Sequence, residues 1–151
     1  MIRAAHASHT GDLYLVDIEP PHDIVELVRD TSLETCTAED RIVFWFTRST
    51  NRAFMLQNTL ATELLLVTTR FTAHDVPILR GNIVITARDG TGGPAALNNQ
   101  QLHRLTRSVL SKREKRILAR RFTRDLHTQR RQSIAEQAAA LRAAQQPWAG
   151  Q

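Results

Sequence analysis

The residues best placed to do chemistry in this chain are cations. Between positions 104 and 131 stand Arg104, Arg107, Lys112, Arg113, Lys115, Arg116, Arg120, Arg121, Arg124, Arg130 and Arg131, against only Glu114 and Asp125. On a helix, Arg113, Arg116, Arg120 and Arg124, with Arg131 after a gap, recur every three or four residues and line one ridge. Lys112, Lys115 and Arg121 are expected to widen it. A rod with such a ridge can follow a phosphate backbone, and each phosphate it neutralises releases counterions, so affinity falls steeply with salt. The candidate nucleic-acid-binding residues are therefore Arg113, Lys115, Arg116, Arg120, Arg121, Arg124 and Arg131. Phe122 is the one aromatic ring of Phe, Tyr or Trp type in this stretch, and its spacing with Leu118 and Leu126 assigns it to packing, so stacking on single strands is poorly supported. No zinc-finger or RNA-recognition signature is present. A helix-turn-helix across residues 98–126 would need a tight turn near Ser111, where no Gly stands.

Other chemistries have weaker support. His6 and His9 have metal-like spacing but no acidic neighbour in sequence. His22-Asp23 and His74-Asp75 are adjacent pairs, and adjacent side chains on a helix or strand point apart, so adjacency makes no dyad. They read as turn or cap residues, and a site assembled around His74 and Asp75 would need a deep pocket. Cys36, the single cysteine, has no catalytic signature around it and reads as a small buried or edge residue. Asp89-Gly90-Thr91-Gly92-Gly93 follows a strand as phosphate loops do, but it lacks both glycine-rich fingerprints and runs into Pro94, so it reads as a turn. The sequence gives no reason to expect a catalytic centre, a metal or a cofactor.

The charge is divided along the chain. Residues 1–100 hold 8 Arg and no Lys against 12 Asp and Glu, a net of −4; residues 101–151 hold 10 Arg and 2 Lys against 3 acids, a net of +9. An acidic body thus carries a basic C-terminal third, which points to a polyanionic partner. The blander reading is a solvated basic face, or a tail docked on its own acidic body. Arg outnumbers Lys 18 to 2, as a GC-rich genome would also produce, so the positive excess is more informative than the choice of Arg. One cysteine permits no internal disulfide and fits a reducing, cytoplasmic setting. The start of the chain lacks the apolar core of a secretory signal, and runs such as Ile42–Phe46 are too short to span a bilayer.

These residues must be positioned by the surrounding elements. At 151 residues and 42% apolar content, the chain is long enough for one domain with an appendage. Residues 1–11 read as a loose leader. Leu13–Ile18 is strand-like and stops at Pro20-Pro21. Asp23, with Glu26 three residues on, is expected to cap a short helix ending near Thr31 and packing through Ile24, Leu27 and Val28. Leu33–Thr37 suits an edge strand, and Ile42–Phe46 a central strand covered on both sides. A turn over Arg48–Arg52 leads to a short strand at Ala53–Leu56. Asn58 caps a core helix over residues 59–71 with Leu60, Leu64, Val67 and Phe71 on its buried face. Asn82–Ala87 is another strand. The order predicts an α+β domain over residues 12–110: a small, mixed, largely antiparallel sheet packed by two helices. Asn98 and Gln101 start a further helix with Leu102, Leu105 and Val109 on one face. Ser111-Lys112-Arg113-Glu114 is a capping box, marking either a new start or a silent stretch of one helix. Residues 111–146 form a basic helical extension, and 147–151 a loose tail. A weaker apolar stripe, Ile134, Ala138 and Leu141, runs along the distal part.

The run Asn58-Thr59-Leu60-Ala61-Thr62-Glu63-Leu64, followed by Leu79-Arg80-Gly81 leading into Asn82-Ile83-Val84-Ile85, resembles a family of small α+β proteins of phages, plasmids and actinobacteria that has no assigned activity. The likeness covers about residues 13–105 and leaves the basic extension outside it. It implies the context of a mobile element and carries over no catalytic residue. The reading is a non-enzymatic accessory protein that contacts DNA or RNA through its basic C-terminal helix. The alternative is a protein-interaction module that modulates a host protein, or dimerises, through that helix. No membrane partner is expected, since the apolar stripe is narrow.

Overall fold

The computed structural model describes residues 1–48 and 56–145. Along the chain lie β1 (Ile2–Ala7), β2 (Leu13–Ile18), α1 (His22–Val28), β3 (Leu33–Thr37), a 3-10 turn (Glu39–Arg41), β4 (Ile42–Thr47), α2 (Thr59–Thr68), β5 (Ile83–Arg88), β6 (Pro94–Ala95), α3 (Asn99–Arg107) and α4 (Lys112–Gln145). The strands form one sheet in the order β2-β1-β5-β4-β3, with β6 added at the end of β5. Every pairing is antiparallel. The fold is α+β, as the order of elements predicts. The turn and short strand expected across Arg48–Leu56, and the loose tail 147–151, lie largely or wholly outside the described residues.

The first strand corrects the loose leader expected at residues 1–11. β1 is no appendage; it sits between β2 and β5. Its fully buried side chains are methyl groups: Ala4, Ala5 and Ala7 have no exposed surface, while Ile2 is partly buried. Alanine is a poor strand former, so the sequence shows no strand signal there. What makes the segment a strand is the bulk supplied by other elements. Ala5 and Ala7 share a core with Ala61, Leu64 and Leu65 of α2, and Ala4 shares one with Ile24 and Val28 of α1.

Side chains alternate across the sheet, so two cores result. On one face Phe44, Ile42, Ile83 and Ile85 meet α2, α3 and the start of α4 through Leu65, Leu105 and Leu118. On the other, Val84 and Trp45 meet α1. Trp45 also donates its indole N–H to Thr86 Oγ1 at 2.9 Å.

The helices keep their expected positions but shift in detail. In α1 the N-cap is Pro21, and Asp23 lies inside the first turn. Its carboxylate accepts from the Glu19 N–H at 2.7 Å, so Asp23 does not cap as expected. Arg29 takes a left-handed φ of 64° and ends the helix short of Thr31. Asn58 does cap α2: Oδ1 accepts from the Ala61 N–H at 2.9 Å, while Nδ2 donates to the carbonyls of Ala7 and Gly81, both at 2.8 Å. α2 buries Ala61, Thr62, Leu64, Leu65, Leu66 and Thr68; Leu60 and Val67 are only partly buried, and Phe71 lies beyond the helix end and is exposed. All three consecutive leucines are buried, so α2 is covered on more than one face. The hydroxyls of Thr68 and Thr69 donate back to the carbonyls of Leu64 and Leu65, at 2.7 and 2.6 Å, as the helix closes.

At α3 the expected box is complete: Gln101 N–H donates to Asn98 Oδ1 (2.8 Å) and Asn98 N–H to Gln101 Oε1 (2.9 Å). The helix stops at Arg107 and Ser108 is extended. That change of geometry turns Val109 out to solvent, against its expected place on the packed face, and Leu110 into the core. Ser111 and Glu114 cap reciprocally at 3.2 Å, so the box marks a genuine new start. The division expected between residues 110 and 111 nevertheless falls inside the packed core, because Leu110 and Leu118 both belong to it.

Candidate nucleic-acid interface

α4 is 34 residues long, about 50 Å at 1.5 Å per residue. Its first part is anchored. Leu118 is buried, with Ile117 and Phe122 packed beside it. Arg80 grips Asp125 with both terminal nitrogens, Nη1 to Oδ2 at 2.8 Å and Nη2 to Oδ1 at 2.6 Å. Gln57 Nε2 donates to Asp125 Oδ2 (2.6 Å) and to the Phe122 carbonyl (2.9 Å). Arg121 donates Nη1–H to the Ala73 carbonyl at 2.9 Å. The Arg80 guanidinium, with help from Gln57 and Arg121, holds the Asp125 carboxyl below the usual carboxylate range despite its partial burial. Arg80 and Asp125 keep only 24% and 18% of their side-chain surface, so the pair is shielded enough to fix the helix in place. Residue spacing gave one available clue to this clasp: Asp125, an acid in a basic run, stands seven positions after Leu118, on the same face.

The cations sort by which way they turn. A helix advances about 100° per residue. With Leu118, Phe122 and Asp125 facing the body, Arg113, Arg116, Arg120, Arg124 and Arg131 all fall within about 60° of the opposite side. All five are exposed, and none has a carboxylate within salt-bridge reach among the described residues. The ridge expected from spacing therefore exists as a surface. Two of its expected members do not widen it. Arg121 is committed to Ala73, and Lys115, though exposed, turns toward the body and borders a cleft lined by Leu13, Leu60, Val67 and Leu110. The acidic body does quench one cation of the basic stretch. Arg104, on α3, binds Glu39 at 2.8 Å and also Asp40, and this lowers the Glu39 pKa and raises that of Arg104. Among the described residues no ion pair extends from the body to the five ridge arginines.

The remaining candidates are spent locally. Asp75 Oδ1 accepts from Thr72 N–H (2.6 Å) and Oγ1–H (2.8 Å), closing a turn and lowering the Asp75 pKa, and both His74 and Asp75 are exposed. Asp89 Oδ1 accepts from the Thr91 N–H and hydroxyl and from the Gly93 N–H at 2.7–2.8 Å, so the glycine-rich segment is a turn closed by its own aspartate. Burial pushes the Cys36 thiol up, away from thiolate. His6 lies in β1 with Nε2 buried and unpartnered among the described residues, and burial lowers its pKa. His22, Asp23 and Glu26 bring three potential ligand atoms within 4.8 Å, but His22 and Glu26 form an exposed i,i+4 pair and Asp23 is bonded to Glu19. Among the described residues no helix is long and apolar enough to cross a membrane. Comparison with protein-family models, with curated proteins and with solved structures finds no match to this chain, and the functional argument rests on the geometry of α4.

Proposed function

We propose that this chain is a non-enzymatic accessory protein that holds the phosphate backbone of DNA or RNA along the outward face of α4. One observation carries the reading: the same helix clasps the body with Leu118 and Asp125 and turns Arg113, Arg116, Arg120, Arg124 and Arg131 away, exposed and without ionic partners among the described residues. From Arg113 to Arg131 the ridge spans about 27 Å. That is most of one duplex turn, roughly 34 Å. Guanidinium groups grip phosphate in two-pronged fashion, and with Phe122 turned inward the contact is to backbone, with little reading of bases. The resemblance noted above fits a mobile-element context, and the single cysteine fits a reducing, cytoplasmic setting.

The test is fluorescence anisotropy of full-length protein with labelled duplex DNA and duplex RNA over a salt series. The expected wild-type log–log slope is about −3 to −5, close to −0.9 per phosphate contacted. The variant Arg113→Gln/Arg116→Gln/Arg120→Gln/Arg124→Gln keeps the fold and loses most of that slope. No salt-dependent binding to either duplex, or equal binding by the variant, rejects the proposal. A truncation at residue 110 is unsuitable because it removes Leu118 from the core.

A second reading has its own observation. Ile134 and Leu141 are 65% and 62% exposed and, with Ala138, continue the line of the ridge. That short apolar stripe suits docking of a partner protein on the distal rod. Pull-down of one stoichiometric protein after nuclease treatment, lost in Ile134→Glu/Leu141→Glu, would favour it.

A further inference from the structure

The sheet has an edge to which no other strand is paired among the described residues. β2 is paired with β1 on one side. On its other side, among the described residues, no backbone or side-chain group bonds to residues 13–18. Edge strands are usually guarded by lysine, proline, a bulge or a covering loop. Leu13-Tyr14-Leu15-Val16-Asp17-Ile18 has one charge and none of the other devices, and Tyr14 and Leu15 are 51% and 57% exposed. The opposite edge, β3, is polar by contrast, with Glu34, Thr35 and Thr37.

We propose that β2 is a homodimer interface, pairing antiparallel with β2 of a second copy about Leu15. The sequence is complementary to itself in that register. Leu15 meets Leu15 of the second copy, and Tyr14 meets Val16, an aromatic–β-branched pair of the favoured kind. Asp17 faces Leu13, so no like charges are opposed. Leu13 borders a cleft of about 430 Å³ whose rim carries both Lys115 and Glu63, so the second copy's Asp17 meets no single-sign acidic patch there. Gly11, with a φ of 96°, and Pro20 bound the strand at its two ends and limit slippage. The contact is isologous. Because paired side chains share a face, the two-fold axis stands normal to the sheet and keeps both copies of α4 on one side of a continuous sheet. This proposal is independent of nucleic-acid binding.

Sedimentation velocity of nuclease-treated, full-length protein tests it. At about 100 µM a small edge interface, under about 1,200 Å², is expected to give a dimer. Leu15→Lys and Tyr14→Lys, both at exposed positions, should weaken the dimer at least about tenfold with unchanged circular dichroism, and should speed amide exchange in β2. A monomer at that concentration, open-ended assembly, or a dimer indifferent to both variants overturns the proposal. So does a dimer lost only in Ile134→Glu/Leu141→Glu, which would move the contact to the rod.

Discussion

α4 contains two regions that look alike as helix and differ in what holds them. From Lys112 to Asp125 the helix is part of the body: Leu118 is in the core, and Asp125 is clasped by Arg80 and Gln57. From Leu126 to Gln145 it touches the body little, and Leu126, Ile134 and Leu141 are exposed. The first region carries most of the charge and would repel itself as an isolated helix; packing of a single stripe offsets that. The second is rich in alanine, with Ala135, Ala138, Ala139, Ala140, Ala143 and Ala144, and is sustained by intrinsic propensity on a helix already nucleated below it. The comparison shows why the ridge is available. Docking uses one face of the anchored region, and the cations occupy the face left over.

Several measurements would break or sharpen this contrast. The largest effect belongs to Leu118→Ala, expected to destabilise the fold by about 2–5 kcal/mol in urea unfolding. Leu141→Ala, the same truncation on the free region, should stay within about 0.5 kcal/mol; equal losses at both sites would erase the distinction. Asp125→Ala removes the carboxylate that the partly buried Arg80 grips with both terminal nitrogens, and should cost about 1–3 kcal/mol. The pH dependence has a definite sign. The folded carboxyl of Asp125 sits below its unfolded value, so its stabilisation is full above that unfolded value, about 3.9. It is lost as pH falls from there through the folded pKa. Asp125→Asn should flatten that acid limb of the stability profile, and an unchanged limb would locate the acid sensitivity elsewhere. The smallest effect on stability is expected for Arg113→Gln/Arg116→Gln/Arg120→Gln/Arg124→Gln, within about 0.5 kcal/mol, even as the salt slope of binding collapses. Amide exchange should separate the regions directly, with slow exchange around Leu118 and fast exchange beyond Arg130.

Local signals were legible where the chain declares its own hydrogen bonds. Asn58, the Asn98/Gln101 box and the Ser111/Glu114 box all depend on partners three residues away, and each forms as its spacing predicts. The ridge was legible for the same reason, since helical period alone aligns Arg113, Arg116, Arg120 and Arg124. One local signal failed, because the Asp23 carboxylate takes the Glu19 N–H instead of capping α1; the other failures lie where the deciding partner is remote. The fully buried side chains of β1 are methyl groups, and their burial comes from α1 and α2. Arg121 looks like its neighbours in sequence, but the Ala73 carbonyl lies 48 positions away. Asp125 finds Arg80 across 45.

The amino-acid order by itself determined the α+β class, the caps that start α2, α3 and α4, and a line of guanidinium groups along one helix. Those are consequences of period and of short-range hydrogen bonding. Only the tertiary structure decided that residues 2–7 lie within the sheet, that Leu118 and Asp125 face the body, and that the arginine line therefore faces out. Which side of an amphipathic rod is buried depends on the shape and charge of a surface assembled from distant segments, and local spacing carries no information about that surface.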